Sequence, residues 1–242
     1  MDVIDQLLAF EKTVCYRRLP PANEPSFLHL AGSRPILISA PHATRHTRGQ
    51  SKKMEEEFTA AFAACLAQNT NSHALLNHWE ISEDPNWDQE SSYKQELAQL
   101  VETHQIELVI DLHGMTNRHN LGVAIGTMNG RACPSYEDPL RWSFARSRFH
   151  EIGLDDLDGL ERPSWERFIF DHPRFTGGIK SHTVTRYAVE ELGIEAVQVE
   201  LCSAGRIVHR GPHDGWPFHY FGDKAGIQAT VQALEIFISE LG

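Results

Sequence analysis

Ile106-Glu-Leu-Val-Ile-Asp-Leu-His113 is the stretch that decides how this chain folds. Its apolar residues run almost without interruption, as in a strand covered on both faces. Such strands belong to parallel sheets flanked by helices. Pro35-Ile-Leu-Ile-Ser-Ala-Pro41 reads the same way, an apolar run closed by prolines and followed at once by His42. Ile194-Glu-Ala-Val-Gln-Val-Glu-Leu201 is a third, with Glu200 near its end. Residues 72–79 and Leu121–Gly126 add two more expected strands. Helical periodicity fills the gaps. It predicts a helix over 53–68, with Met54, Phe58, Ala61, Phe62 and Leu66 on one side and a cluster of acids in the first turn. Further helices are expected over 91–104, 138–152 (with Gly153 beyond it), 182–192 (stopped by Gly193) and 222–241. Residues 155–178, rich in Asp, Pro and Gly, read as a long excursion of the kind that often carries function. Strands alternating with helices give an α/β layered fold with a largely parallel sheet.

In such sheets ligands gather at the carboxyl ends of the strands. His42, His113 and Glu200 all stand where apolar runs give out. Two are imidazoles, the usual ligands of Zn²⁺, and the third is a carboxylate able to ligate a metal or act as a base. A single histidine at a strand end is more often a hydrogen-bonded structural residue. Imidazoles on separate strands of one sheet, however, can converge at its edge. Glu200 within Val-Gln-Val-Glu-Leu would be costly to bury as an unpaired anion, so it calls for a metal, an arginine or a proton. Gln198 shares its side of the strand.

No repeat or low-complexity linker divides the 242 residues, so one domain is expected over 1–242. The hydrophobic and charged fractions, 41% and 23%, are ordinary for a globular protein. The formal charge of −11, with Lys and Arg scattered, argues against a nucleic-acid partner and leaves room only for a local basic pocket. Cys15, Cys65, Cys133 and Cys202 are widely spaced, without a Cys-x-x-Cys pair, and read as small apolar residues in a reducing compartment. No apolar stretch is long enough for a membrane span. The opening Met-Asp-Val-Ile-Asp-Gln lacks the features of a signal peptide, so a cytoplasmic location is expected.

Four short motifs, Ser39-Ala-Pro-His42, Asp111-Leu-His113-Gly-Met, Phe175-Thr-Gly-Gly178 and Val197-Gln-Val-Glu200, occur in the order seen in the N-formylglutamate amidohydrolase family. The chain resembles the broader relatives of that family over roughly residues 35–210. The resemblance implies a three-layer αβα, phosphorylase/hydrolase-like fold with a mixed, largely parallel sheet, shared with zinc carboxypeptidases and aspartoacylase-like deacylases. It implies one zinc ion per chain, with His42 matching the first ligand and His113 the last. Glu200 matches the general base that takes a proton from zinc-bound water as it attacks an amide. The third residue after His42 is Arg45, which cannot ligate a metal. The middle ligand is therefore carried to the Glu55-Glu56-Glu57 cluster, with Glu56 favoured and His46 as a substitute. Asp111, two residues before His113, is the expected partner of that ring's other nitrogen. Asn86, Asp88, Arg45 and Arg186 are expected to contact substrate, the arginine at 186 by gripping a carboxylate. This chain has Pro-His-Ala-Thr and Asp-Leu-His-Gly where the formylglutamate enzymes usually have Pro-His-Ser-Gly and Asp-Leu-His-Ser. The expected reaction is therefore hydrolysis of a small, anionic N-acyl amino-acid-like amide, N-formyl compounds included. Two other readings fit the same ligands: a metal-dependent esterase or phosphohydrolase, and a binding module that uses the cleft without the base Glu200.

Overall fold

The chain alternates strand and helix along most of its length. A computed structural model describes residues 1–157, 164–212 and 217–241. In order, the elements are α1 (Val3–Glu11), β1 (Phe27–Leu30), β2 (Ile36–Ala40), β3 (His46–Arg48), β4 (Ser51–Lys53) and α2 (Thr59–Thr70). There follow β5 (His73–Asn77), α3 (Ser92–His104), β6 (Leu108–Met115), β7 (Val123–Gly126), α4 (Glu137–Arg146) and β8 (His150–Glu151). The last are β9 (Arg167–Phe170), α5 (Val184–Glu190), β10 (Glu195–Cys202), β11 (His209–Arg210), β12 (Tyr220–Phe221) and α6 (Lys224–Glu240).

Eight strands form one sheet in the order β1-β5-β2-β6-β10-β7-β9-β8. β5, β2, β6 and β10 run parallel to one another, and β1 and β7 are antiparallel to their neighbours β5 and β10. Strand parity sorts the core into two layers. Ile38, Ile110, Leu112, Val197 and Val199 pack with α2, α4 and α6, chiefly through Phe62, Leu66, Phe144 and Phe237. Leu37, Leu75, Val109 and Ala196 face the other way, against Tyr93, Leu97 and Leu100 of α3 and Val184 and Ala188 of α5. The fold is thus a three-layer αβα arrangement on a mixed, largely parallel sheet. On the α3/α5 face the odd positions continue as Ser39 and Asp111. Ser39 meets Tyr93 Oη at 2.9 Å, and Thr185 Oγ1 donates to Asp111 at 3.4 Å. Every side chain that follows on that parity, His113 included, belongs to this face.

Most element positions agree with the apolar patterning, and the departures have local causes. The expected helix over 53–68 starts only at Thr59, because Phe58 adopts a left-handed φ of 67° and residues 51–53 form a hairpin strand instead. The acids 55–57 therefore precede the helix. Each is taken by a tertiary partner, an interaction stronger than the helix dipole offers. The helix expected over 138–152 ends at Arg146, since Phe144 and Phe149 turn back to share one aromatic cluster with Phe168. The excursion 155–178 contributes β9 to the sheet, and its residues 158–163 lie outside the described part. α1 and β1 were not legible in the pattern. Cys65, Cys133 and Cys202 are buried and Cys15 half-buried, all as free thiols. Among the described residues no helix is long and apolar enough to cross a membrane.

Glu11, at the end of α1, accepts from the Phe58 N–H at 3.0 Å, while its Oε2 is sealed from solvent with no partner among the described residues. Burial pushes its carboxyl up to about 8, with Glu57 adding to the rise against the Phe58 hydrogen bond. The protonated form is the one this fold accommodates. Stability tied to Glu11 is therefore fully present below the ordinary carboxyl range and is lost as pH climbs through about 8. Glu11→Gln keeps the acceptor and cannot ionise. Thermal melts are expected to show the variant gaining on wild type steadily between pH 5 and pH 8.5. A constant difference would contradict the assignment.

Candidate metal centre

Three elements deliver the central residues. Pro41, held through its carbonyl by the Asn77 side chain, turns the chain out of β2 and presents His42. The Glu56 N–H donates to the His42 carbonyl at 2.9 Å, which brings the acidic loop under the imidazole. β6 supplies Asp111 and His113, and β10 lies parallel to it with Glu200 directly opposite His113.

His42 Nδ1 lies 3.1 Å from Glu56 Oε1, and His113 Nδ1 lies 3.0 Å from Glu56 Oε2. The Gly114 N–H also donates to Oε2, at 2.8 Å. One nitrogen of each ring thus converges on one carboxylate. The outer nitrogens are held as well: His42 Nε2 by Asp84 at 2.8 Å, and His113 Nε2 by Asp111 at 3.1 Å. Glu55 is spent on Arg17 and Glu57 on Arg210, so of the three glutamates only Glu56 faces the imidazoles.

Burial works against charge on all three groups, but their mutual attraction outweighs it. His42 is raised by Glu56 and Asp84, and His113 is raised well above its usual value by Asp111 and Glu56. Glu56 is held well below the ordinary carboxylate range by His113 and His42. Two imidazoles and a carboxylate within 4.8 Å, each imidazole braced from behind by a carboxylate, match the donor set of a zinc site with an open position. Glu200 is 8% exposed and accepts from Gln198 Nε2 at 3.2 Å. Burial pushes its carboxyl up to about 7, with His113 pulling partly back.

These residues line a cleft of about 280 Å³ together with Asn86, Arg48, Trp87, Arg174, Phe175 and Lys180. The glycines of Phe175-Thr-Gly-Gly178 shape its rim. Gly177 and Gly178 have φ of 75° and 128°, and the Gly177 N–H donates to Gln198 Oε1 at 3.1 Å. A larger hollow of about 630 Å³ lies along α5, lined by Lys94, Arg186, Tyr187 and Glu190. Among the described residues no cluster of metal-ligating side chains opens into it.

Several expected contacts fall elsewhere. Arg186 lines that other hollow and pairs with Glu190 one helical turn on, at 2.6 Å, so it does not reach the cleft. Arg45 is drawn away by Glu80. Asp88 caps its own loop, accepting from the Asp84 N–H at 2.7 Å. Asn86 does line the cleft, with its amide nitrogen 2.8 Å from His113 Nε2. His46 stacks on the far side of His42, with centroids 4.0 Å apart, and lies outside the cleft lining. Burial and the neighbouring His42 push its ring down to about 4. His46, His42 and Asp84 also form a close group, but Asp84 is already bound by Arg48 at 2.6 Å.

Sequence reasoning missed Asp84, which orients His42, and Arg206. The Arg206 guanidinium is buried behind Gly114, where an added Cβ would stand 2.6 Å from Nη2. A side chain at position 114 would press on that guanidinium and oblige it to shift.

No protein-family model matches the chain, and no curated protein is similar to it in sequence at a significant level. Solved structures similar to it include a bacteriophage poly-gamma-glutamate hydrolase, at 12% identity over 91% of each chain with a TM-score of 0.48. Another is the catalytic domain of an N-acetylmuramoyl-L-alanine amidase from Bacillus (Paenibacillus) polymyxa var. colistinus, at 12% identity over 85% of this chain and 96% of that one, TM-score 0.42. A metallo-carboxypeptidase from Burkholderia cenocepacia is similar at 10% identity over 88% of this chain and 59% of that one, TM-score 0.44.

Proposed function

We propose that this chain is a metal-dependent amide hydrolase, with His42, Glu56 and His113 holding one zinc ion and Glu200 serving as general base. The reading rests on one observation: two braced imidazoles and a carboxylate converge beside a buried, hydrogen-bonded glutamate at the wall of a cleft. Zinc in such a site polarises a carbonyl and makes water a nucleophile near neutral pH. Asp84 and Asp111 fix the rings so that the same nitrogens always point inward. A cation held by His42, Glu56 and His113 would favour the carboxylate of Glu200, the base form. Glu200 takes the proton of the attacking water and returns it to the departing amine.

Arg48, Arg174 and Lys180 line the cleft, which favours an acidic acyl-amino compound as substrate. N-formyl and other short N-acyl amino acids are the first candidates. Screening these against matched esters and phosphate monoesters with the zinc-loaded protein tests the reaction class. Turnover confined to phosphate esters would overturn the amide reading. Arg174→Ala is expected to raise KM for the best acidic substrate roughly tenfold with little change in kcat, since it touches ground state and transition state alike. An unchanged KM would remove Arg174 from substrate binding.

The raised values of His42 and His113 set the pH dependence of metal uptake. In the metal-free protein both rings hold a proton more tightly than a free imidazole and must lose it to ligate. Zinc affinity of the cleft is expected to rise with pH by up to about tenfold per unit for each proton released. Calorimetric titration at pH 6, 7 and 8, in buffers of different ionisation heat, measures both quantities. Affinity independent of pH would contradict the ligand assignment.

A further inference from the structure

Away from the cleft, three histidines meet at the opposite edge of the sheet. His29 lies on β1 and His73 opens β5; the antiparallel register pairs His29 with Leu75, so His29 and His73 are diagonal neighbours on one face. That is the face covered by α3, whose last residue is His104. The ring centroids of His73 and His104 are 4.4 Å apart, and those of His29 and His73 are stacked at 5.5 Å. One ring nitrogen from each lies within 4.8 Å of the others.

We propose that His29, His73 and His104 form a second transition-metal site, separate from the cleft, that takes a zinc or copper(II) ion through three imidazole nitrogens. The rings present nitrogens to one another: His29 Nε2 and His73 Nδ1 share a hydrogen bond at 3.2 Å, a spacing that two ligands of one ion can also take. Among the described residues no carboxylate hydrogen-bonds to any of the three, in contrast to the braced rings of the cleft. The Gly32 N–H reaches His73 Nδ1 only at 3.3 Å, the long end of the hydrogen-bond range, and so claims that lone pair weakly. Burial and the facing imidazoles, His104 above all, hold His29 and His73 below their usual values, while Glu96 on α3 works the other way at His29. That direction favours the neutral ring, the ligating form. Three nitrogen donors suit copper(II) and zinc over the oxygen-seeking magnesium and calcium. An ion there would tie the edge strand β1 and β5 to the end of α3.

The test uses the full chain with the cleft disabled by Glu56→Ala and His113→Ala, and zinc alone as probe. One equivalent of Zn²⁺ is expected to bind and to raise the melting temperature. Adding His104→Ala, a half-buried helix-end position, is expected to abolish both effects while leaving the circular dichroism spectrum unchanged. The Cu²⁺-loaded protein should show nitrogen superhyperfine structure in its paramagnetic resonance spectrum, lost with His104→Ala. Should the cleft-disabled chain not fold, the same loss of one equivalent is read between wild type and His104→Ala, and between wild type and His29→Ala. Zinc stoichiometry unchanged by His104→Ala and His29→Ala, or a cleft-disabled chain that folds and binds no zinc, overturns the proposal. Neither result bears on the cleft.

Discussion

Glu200→Gln is expected to lower kcat by about 10²–10⁴-fold with KM and metal content nearly unchanged, the range typical of a lost general base. The amide retains the Oε1 that accepts from Gln198, so the β10 side chains keep their arrangement. It also removes a carboxyl that burial already disfavours as an anion, and the variant should melt no lower than wild type. A general base cannot be replaced by a group without a free proton-accepting pair, whereas a residue that only shapes the cleft can. Activity above a tenth of wild type would place the base elsewhere and reopen the binding-module reading.

Gly126→Ala is expected to cost about 3 kcal/mol, the upper part of the range for overpacking a tight site. A Cβ at Gly126 would stand 2.3 Å from the Gly177 backbone nitrogen and 2.8 Å from the Phe175 carbonyl. Main chain has no rotamer with which to retreat, so the turn over residues 175–178 must lift. The urea midpoint should fall with an unchanged slope, and the melting temperature by about 6–12 °C for a chain of this size. Lifting the turn also removes the Gly177 N–H from Gln198 and shifts Arg174 and Phe175 at the cleft wall. A drop in kcat/KM beyond that explained by unfolding is therefore expected. A melting temperature within about 2 °C of wild type would show that the turn is not held as described.

The legible parts of the fold were those whose burial is two-sided. β2, β6 and β10 lie at the centre of the sheet with nearly every residue buried, so their apolar runs announce them. β1 sits at the edge and α1 precedes it, and neither carries a run long enough to stand out. His42, His113 and Glu200 were legible because polar groups interrupt those central runs, and Asp111 followed from strand parity. Glu56 needed the family resemblance, because three adjacent glutamates look alike until Arg17 and Arg210 claim the outer two. The positions of the arginines were hidden for a related reason. Sequence shows that a cation exists but not which anion takes it, and Glu80 and Glu190 capture Arg45 and Arg186. Asp84 and the histidine trio had no local signal, since each depends on chain segments far apart in sequence meeting in the fold.

Metal content tests the central claim most directly: purified wild type, Glu56→Ala, His113→Ala and Glu200→Gln, each loaded with Zn²⁺, passed through a chelating column and analysed by mass spectrometry. The cleft site predicts that Glu56→Ala and His113→Ala each hold one equivalent less than wild type, and that Glu200→Gln holds as much. Equal metal in wild type, Glu56→Ala and His113→Ala, or a wild type that retains none, would contradict it.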